Sequence, residues 1–76
     1  MAISPAQRVA QSIRSHIDES DLSQEAIGAA LHISQSALSR RCLGRVEWRA
    51  SELASLAAIL GTTVEELVGE KETARR

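Results

Sequence analysis

L-S-Q-E-A-I-G-A-A-L-H-I-S-Q-S-A-L-S-R, residues 22–40, is the stretch that decides the fold. It contains two helix starts. Each opens on a serine, Ser23 or Ser34, whose hydroxyl can accept from a backbone N–H of the first helical turn. Behind Ser23, Glu25 lies in the first turn, where the helix dipole favours a negative charge. Ile27, Ala30 and Leu31 then form an apolar stripe, so a short helix is expected from Gln24 to Leu31. His32 and Ile33 separate it from Ser34. A second helix is expected from Gln35 to about Leu43, with Gly44 as its stop. Leu38 and Cys42 face inward on it, and Gln35, Ser36, Ser39 and Arg40 face outward.

The flanks read as helices too. Ser4 and Pro5 form a cap and a first helical position, and Val9, Ala10, Ile13 and Ile17 recur at helical spacing up to about Glu19. After a loop at 45–49, Leu53, Leu56, Ala57 and Leu60 give the clearest amphipathic pattern, ended by Gly61. Thr63 and Glu66 predict a capping box for a last short helix with Val64, Leu67 and Val68. From Gly69 onward the sequence is charged, and a frayed tail is expected at 70–76. The expected fold class is all-α: five short helices in one domain over residues 1–76.

Composition agrees and excludes several functions. The chain has 76 residues, 43% hydrophobic, with one Trp and no Phe or Tyr, so the core must be aliphatic. One Cys cannot make an internal disulfide, and with His16 and His32 it falls short of a four-ligand zinc site. No apolar run approaches the roughly 20 residues of a membrane span, and Met1 to Arg14 lacks a signal-peptide layout. A cytoplasmic location in a bacterial cell, with the nucleoid, is expected. Net charge is −1, from nine basic and ten acidic residues. The bases are concentrated, however: residues 40–49 hold Arg40, Arg41, Arg45 and Arg49 against Glu47 alone. Acids cluster at 18–25 and 65–72, so a basic face can coexist with a near-neutral total.

Two short helices joined by about three residues, the second polar outside, have the layout of a helix-turn-helix. Residues 22–40 resemble the Cro/repressor (XRE-type) helix-turn-helix family. The G-R at 44–45, L-A-A-I-L-G at 56–61 and T-V-E-E-L-V-G at 63–69 extend the resemblance from about Arg8 to Gly69. It implies a lambda-repressor-like domain with its helix-turn-helix at about 23–43 and double-stranded DNA as partner, bound in the major groove. It also implies the site. Gln24 would hydrogen-bond a phosphate at a helix N-terminus. Ser34, Gln35 and Ser36 open the reading helix, and Gln suits a bidentate contact with adenine. Ser39 and Arg40 would reach the next bases or the backbone, Arg being the commonest reader of guanine. Arg45 and Arg49 would hold flanking phosphates.

Two positions depart from the family pattern. His32 stands where the turn usually has Gly and often needs a left-handed backbone. Arg41 stands where an apolar residue usually packs. Either its stem lies along the core with the head turned outward, or the helix rotates so that Cys42 and Leu43 pack instead. The second is expected, with Arg41 free to add a phosphate contact.

The remaining readings are plainer. Cys42 is expected as a small buried hydrophobe, and His16 and His32 as structural or surface groups. Trp48 is expected to pack in front of the fourth helix, with a DNA-backbone or subunit contact as its alternative. The arginines could instead be a solvated face paired with Glu47 and Glu52. No nucleophile–base constellation, phosphate-cradling loop or metal cluster suggests an enzyme, so no cofactor and no small-molecule ligand are expected. The absence of an aromatic platform argues against single-stranded nucleic acid. The leading function is a sequence-specific transcriptional regulator, a repressor of phage Cro-like type acting by occupancy, either a weak homodimer or a monomer that pairs on DNA. The alternative is a helical protein-interaction module of the antitoxin or antirepressor kind.

Overall fold

The structure is a computed structural model that describes residues 4–69. It contains α1 (Pro5–Glu19), α2 (Gln24–Leu31), α3 (Gln35–Cys42), α4 (Ala50–Leu60) and α5 (Val64–Val68), with no strand among the described residues. The fold is all-α, as expected, and α3 ends at Cys42, just short of Leu43. The tail at 70–76 lies outside the described residues.

Serine and threonine hydroxyls start four of the helices. Ser4 Oγ accepts from Gln7 N at 3.1 Å, Ser23 Oγ from Ala26 N at 3.0 Å and Ser34 Oγ from Ala37 N at 3.1 Å. Thr63 Oγ1 accepts from Glu66 N at 3.2 Å, while the Glu66 carboxylate accepts from the Thr62 hydroxyl at 2.7 Å. Each such cap satisfies an N–H that the helix leaves without an internal partner, and is worth about 1 kcal/mol.

Ile13 and Ile17 of α1, Ile27 of α2, Leu38 and Cys42 of α3, Leu56 and Ala57 of α4 and Leu67 of α5 form one buried cluster. Val9, Leu31, Ile33, Trp48, Leu53 and Leu60 pack around it. α1 lies against α3 and α5, and α2 against α3 and α4. Trp48 packs as expected, although its indole N–H has no acceptor among the described residues. Two expectations are corrected. Ala30 is exposed, because Ile27 and Gly28 are the buried positions of α2. Leu43 does not replace Arg41 in the packing: it is 48% exposed, since it lies beyond the last helical turn. The Arg41 stem stays inside instead, and its side chain is only 12% exposed.

Two backbone reversals set the course of the helix-turn-helix. After α2, His32 adopts φ 61 and ψ 39, and Ile33 N donates back to Gly28 O at 3.0 Å. This six-residue closure is a Schellman turn, which normally puts glycine at the left-handed position. The expectation for His32 is met, at the cost of a Cβ in left-handed backbone. After α3 the same closure recurs with glycine: Gly44 has φ 80, its N–H donates to Arg41 O at 3.1 Å, and Arg45 N donates to Arg40 O at 2.9 Å. A Cβ on Gly44 would lie 3.3 Å from the Gln7 Cα of α1, so the turn also seats α3 against α1.

His32→Gly is expected to raise stability by up to about 1 kcal/mol, because the relieved left-handed strain exceeds the extra chain entropy of glycine. Thermal unfolding should show Tm up by roughly 4–8 °C per kcal/mol gained, and a fall would contradict the strain. Gly44→Ala should lower stability by roughly 1–3 kcal/mol through backbone strain and the Gln7 contact. An unchanged melting curve would show that the turn relaxes freely.

Candidate nucleic-acid interface

α3 has two distinct sides. At about 100° per residue, Gln35, Ser39, Ser36 and Arg40 follow one another around a continuous arc, and all four are exposed. Ala37, Arg41, Leu38 and Cys42 fill the opposite arc, partly or fully buried. Burial of Leu38 and Cys42 therefore determines which polar side chains face away from the protein. The helix is eight residues long, so its outward arc is short, and it is made of one amide, two hydroxyls and one guanidinium.

Ser34 is exposed, but its hydroxyl already serves as the α3 cap and lies 3.4 Å from Ser36 Oγ. Gln24 is the first residue of α2 and is exposed beside the cap at Ser23. Arg45 is held next to the end of α3 by its backbone bond to Arg40 O. Arg49 is the N-cap residue of α4 and is exposed. Among the described residues, no hydrogen bond or ion pair engages the guanidiniums of Arg40 and Arg45, while the charge of Arg49 also acts on the Glu52 carboxylate and helps to lower its pKa.

Arg41 is different. Its Nε donates to Glu52 Oε1 at 3.0 Å and its Nη1 to Ala37 O at 3.1 Å. The same Glu52 oxygen accepts the Arg49 N–H at 2.9 Å. Burial works to raise the Glu52 pKa, but the Arg49 N–H and the Arg41 guanidinium outweigh it and hold the carboxyl below its ordinary value of 4.5. Glu52 is thus a fixed anion behind the interface. From the sequence Glu52 is only a possible partner for the arginines; in the structure it also caps α4. The R-x-x-E spacing of Arg49 and Glu52, with a carboxylate at the third helical position, was the available signal. Cys42 is buried, and burial pushes its thiol pKa up, consistent with a packing role.

A family model described as a helix-turn-helix domain matches residues 8–68. The chain belongs to this helix-turn-helix family. Among solved structures it resembles the clp gene regulator ClgR from Corynebacterium glutamicum, with a TM-score of 0.83 and 22% sequence identity. The match covers 95% of this chain and 77% of that one. At that identity the likeness establishes the fold alone. No curated protein matches the sequence significantly. Membership makes this a DNA-binding domain of the transcription-regulator kind, and such domains are in general not enzymes. No helix of the described residues is long and apolar enough to cross a membrane.

The Glu52 environment predicts an acid dependence. A carboxyl whose pKa is lowered in the folded state contributes stability above its unfolded pKa, and that contribution is lost as pH falls through the folded value. The stability difference between the wild type and Glu52→Gln should therefore be constant at neutral pH and narrow below about pH 4.5. Urea unfolding at a series of pH values measures it. A difference that stays constant down to pH 3 would contradict the pairing.

Proposed function

We propose that this chain is a sequence-specific transcriptional repressor of phage or prophage type, which covers an operator and so blocks polymerase. One observation carries the reading: the outward arc of Gln35, Ser36, Ser39 and Arg40 on a helix whose other side is locked into the core. Short hydroxyls and forked amide and guanidinium groups are the side chains that read base edges in the major groove. Gln35 and Ser36 meet the first bases, and Ser39 and Arg40 the next. Gln24, Arg45 and Arg49 bind phosphates, and Ser34 acts mainly by starting the reading helix. The protein acts as a weak homodimer or as a monomer that pairs when two half-sites adjoin, and it works in the bacterial cytoplasm at the nucleoid. The gene-regulator neighbour supports a regulatory role.

Selection from random duplexes, followed by binding at several salt concentrations, tests this. An enriched sequence should be bound at least a thousandfold tighter than random duplex, with affinity falling steeply as salt rises. Arg40→Ala should relax preference at one base position at a cost of about 1–3 kcal/mol, whereas Gln24→Ala should weaken all duplexes alike. A chain that prefers no duplex even at low salt would instead favour a protein-interaction module of the antitoxin or antirepressor kind.

A further inference from the structure

Arg41 lies in the segment where the basic residues concentrate, yet its guanidinium is turned into the protein. The pair it forms with Glu52 is part-buried, at 12% and 11% side-chain exposure. Replacing a pair so buried by apolar side chains is often neutral or stabilising, so stability alone does not account for it. What the pair does mechanically is specific. One carboxylate oxygen receives a hydrogen bond from the last turn of α3, through Arg41, and another from the backbone of Arg49 at the start of α4. The second arm of the guanidinium grips Ala37 O within α3. α3 packs chiefly on α1 and α2, so this link ties it directly to the start of α4. It therefore fixes the distance between the base-facing arc and Arg49, whose exposed side chain is a phosphate ligand in the proposed function.

We propose that Arg41 and Glu52 are positioning residues for DNA recognition: through one shared carboxylate oxygen they hold the phosphate-binding Arg49 in register with the reading helix, and Arg41 does not touch DNA. The inference rests on the DNA-binding reading and adds to it a determinant of specificity behind the interface. It separates Arg41 from its neighbours Arg40 and Arg45, whose guanidiniums are free among the described residues. It also distinguishes arginine from lysine at this position. A lysine supplies the charge that a phosphate needs but not the planar fork that reaches Glu52 and Ala37 together.

The test compares Arg41→Lys, Arg41→Met, Glu52→Ala and the double variant Arg41→Met/Glu52→Ala with the wild type. Binding of each is measured to the duplex most enriched by the wild type and to random duplex of the same length, across a range of salt. Positioning predicts that all four variants lose about tenfold or more of the specific-to-random ratio, within the range that a single lost base contact spans. The double variant should be no worse than either single variant. The salt slope of random binding should be the same in the wild type and both Arg41 variants. A direct phosphate contact predicts otherwise: Arg41→Lys would behave as the wild type, and Arg41→Met would lose about one unit of slope. Either of those results, or an unchanged ratio in Glu52→Ala, overturns the proposal. Circular dichroism and cooperative melting accompany each variant. If Arg41→Met does not fold, Arg41→Lys and Glu52→Ala still decide the outcome. A wild type that enriches no sequence overturns the DNA reading itself, whereas enrichment with unchanged variants overturns this inference alone.

Discussion

The close approach of α2 to the turn that follows it is the constraint on which the rest depends. Gly28 is buried, its carbonyl accepts the Ile33 N–H at 3.0 Å, and a Cβ built on it would lie 3.2 Å from the Ile33 carbonyl oxygen. A Cβ here would need the turn to give way by a few tenths of an ångström. The absence of a side chain lets the chain reverse tightly enough for Ile33 and Leu38 to join the core beside Ile27. Glycine costs roughly 1 kcal/mol of helix propensity relative to alanine, and the packing of Ile27 and Leu31 and the Ser23 cap offset it.

From that contact the candidate interface follows by geometry. Once Leu38 and Cys42 are buried, the helical repeat leaves Gln35, Ser36, Ser39 and Arg40 outside. The Gly44 turn then folds Arg45 back beside Arg40, and Glu52 ties the start of α4 to α3. A near-neutral chain can thus concentrate Arg40, Arg45 and Arg49 on and just beyond one short helix, because the acids at 18–25 and 65–72 lie elsewhere in the sequence. Net charge was a poor guide here. The placement of charge along the chain was a better one.

Much of the fold was legible because its signals are local. The caps Ser4, Ser23, Ser34 and Thr63 and the stops at Gly44 and Gly61 mark helix ends through backbone chemistry within a few residues. The outward arc of α3 was legible for the same reason, since periodicity separates it from Leu38 and Cys42. Ala30 was misread because a methyl group is small enough to sit on either side of a helix. Arg41 and Leu43 were misread for a different reason. Whether an arginine can stay inside depends on a partner eleven residues away in α4, and no local pattern reports that. The role of each candidate DNA contact is a property of the complex, and neither periodicity nor packing supplies it.

In the proposed function, the outward arc of α3 and its flanking arginines form the surface that meets duplex DNA. Amide chemical-shift mapping by NMR, during titration with a selected duplex, tests it most directly. The largest changes are expected at residues 24, 34–36, 39–40, 45 and 49, with little change along the apolar groove of Val9, Val46, Trp48 and Val64. Changes confined to that groove, with α3 unmoved, would contradict the account.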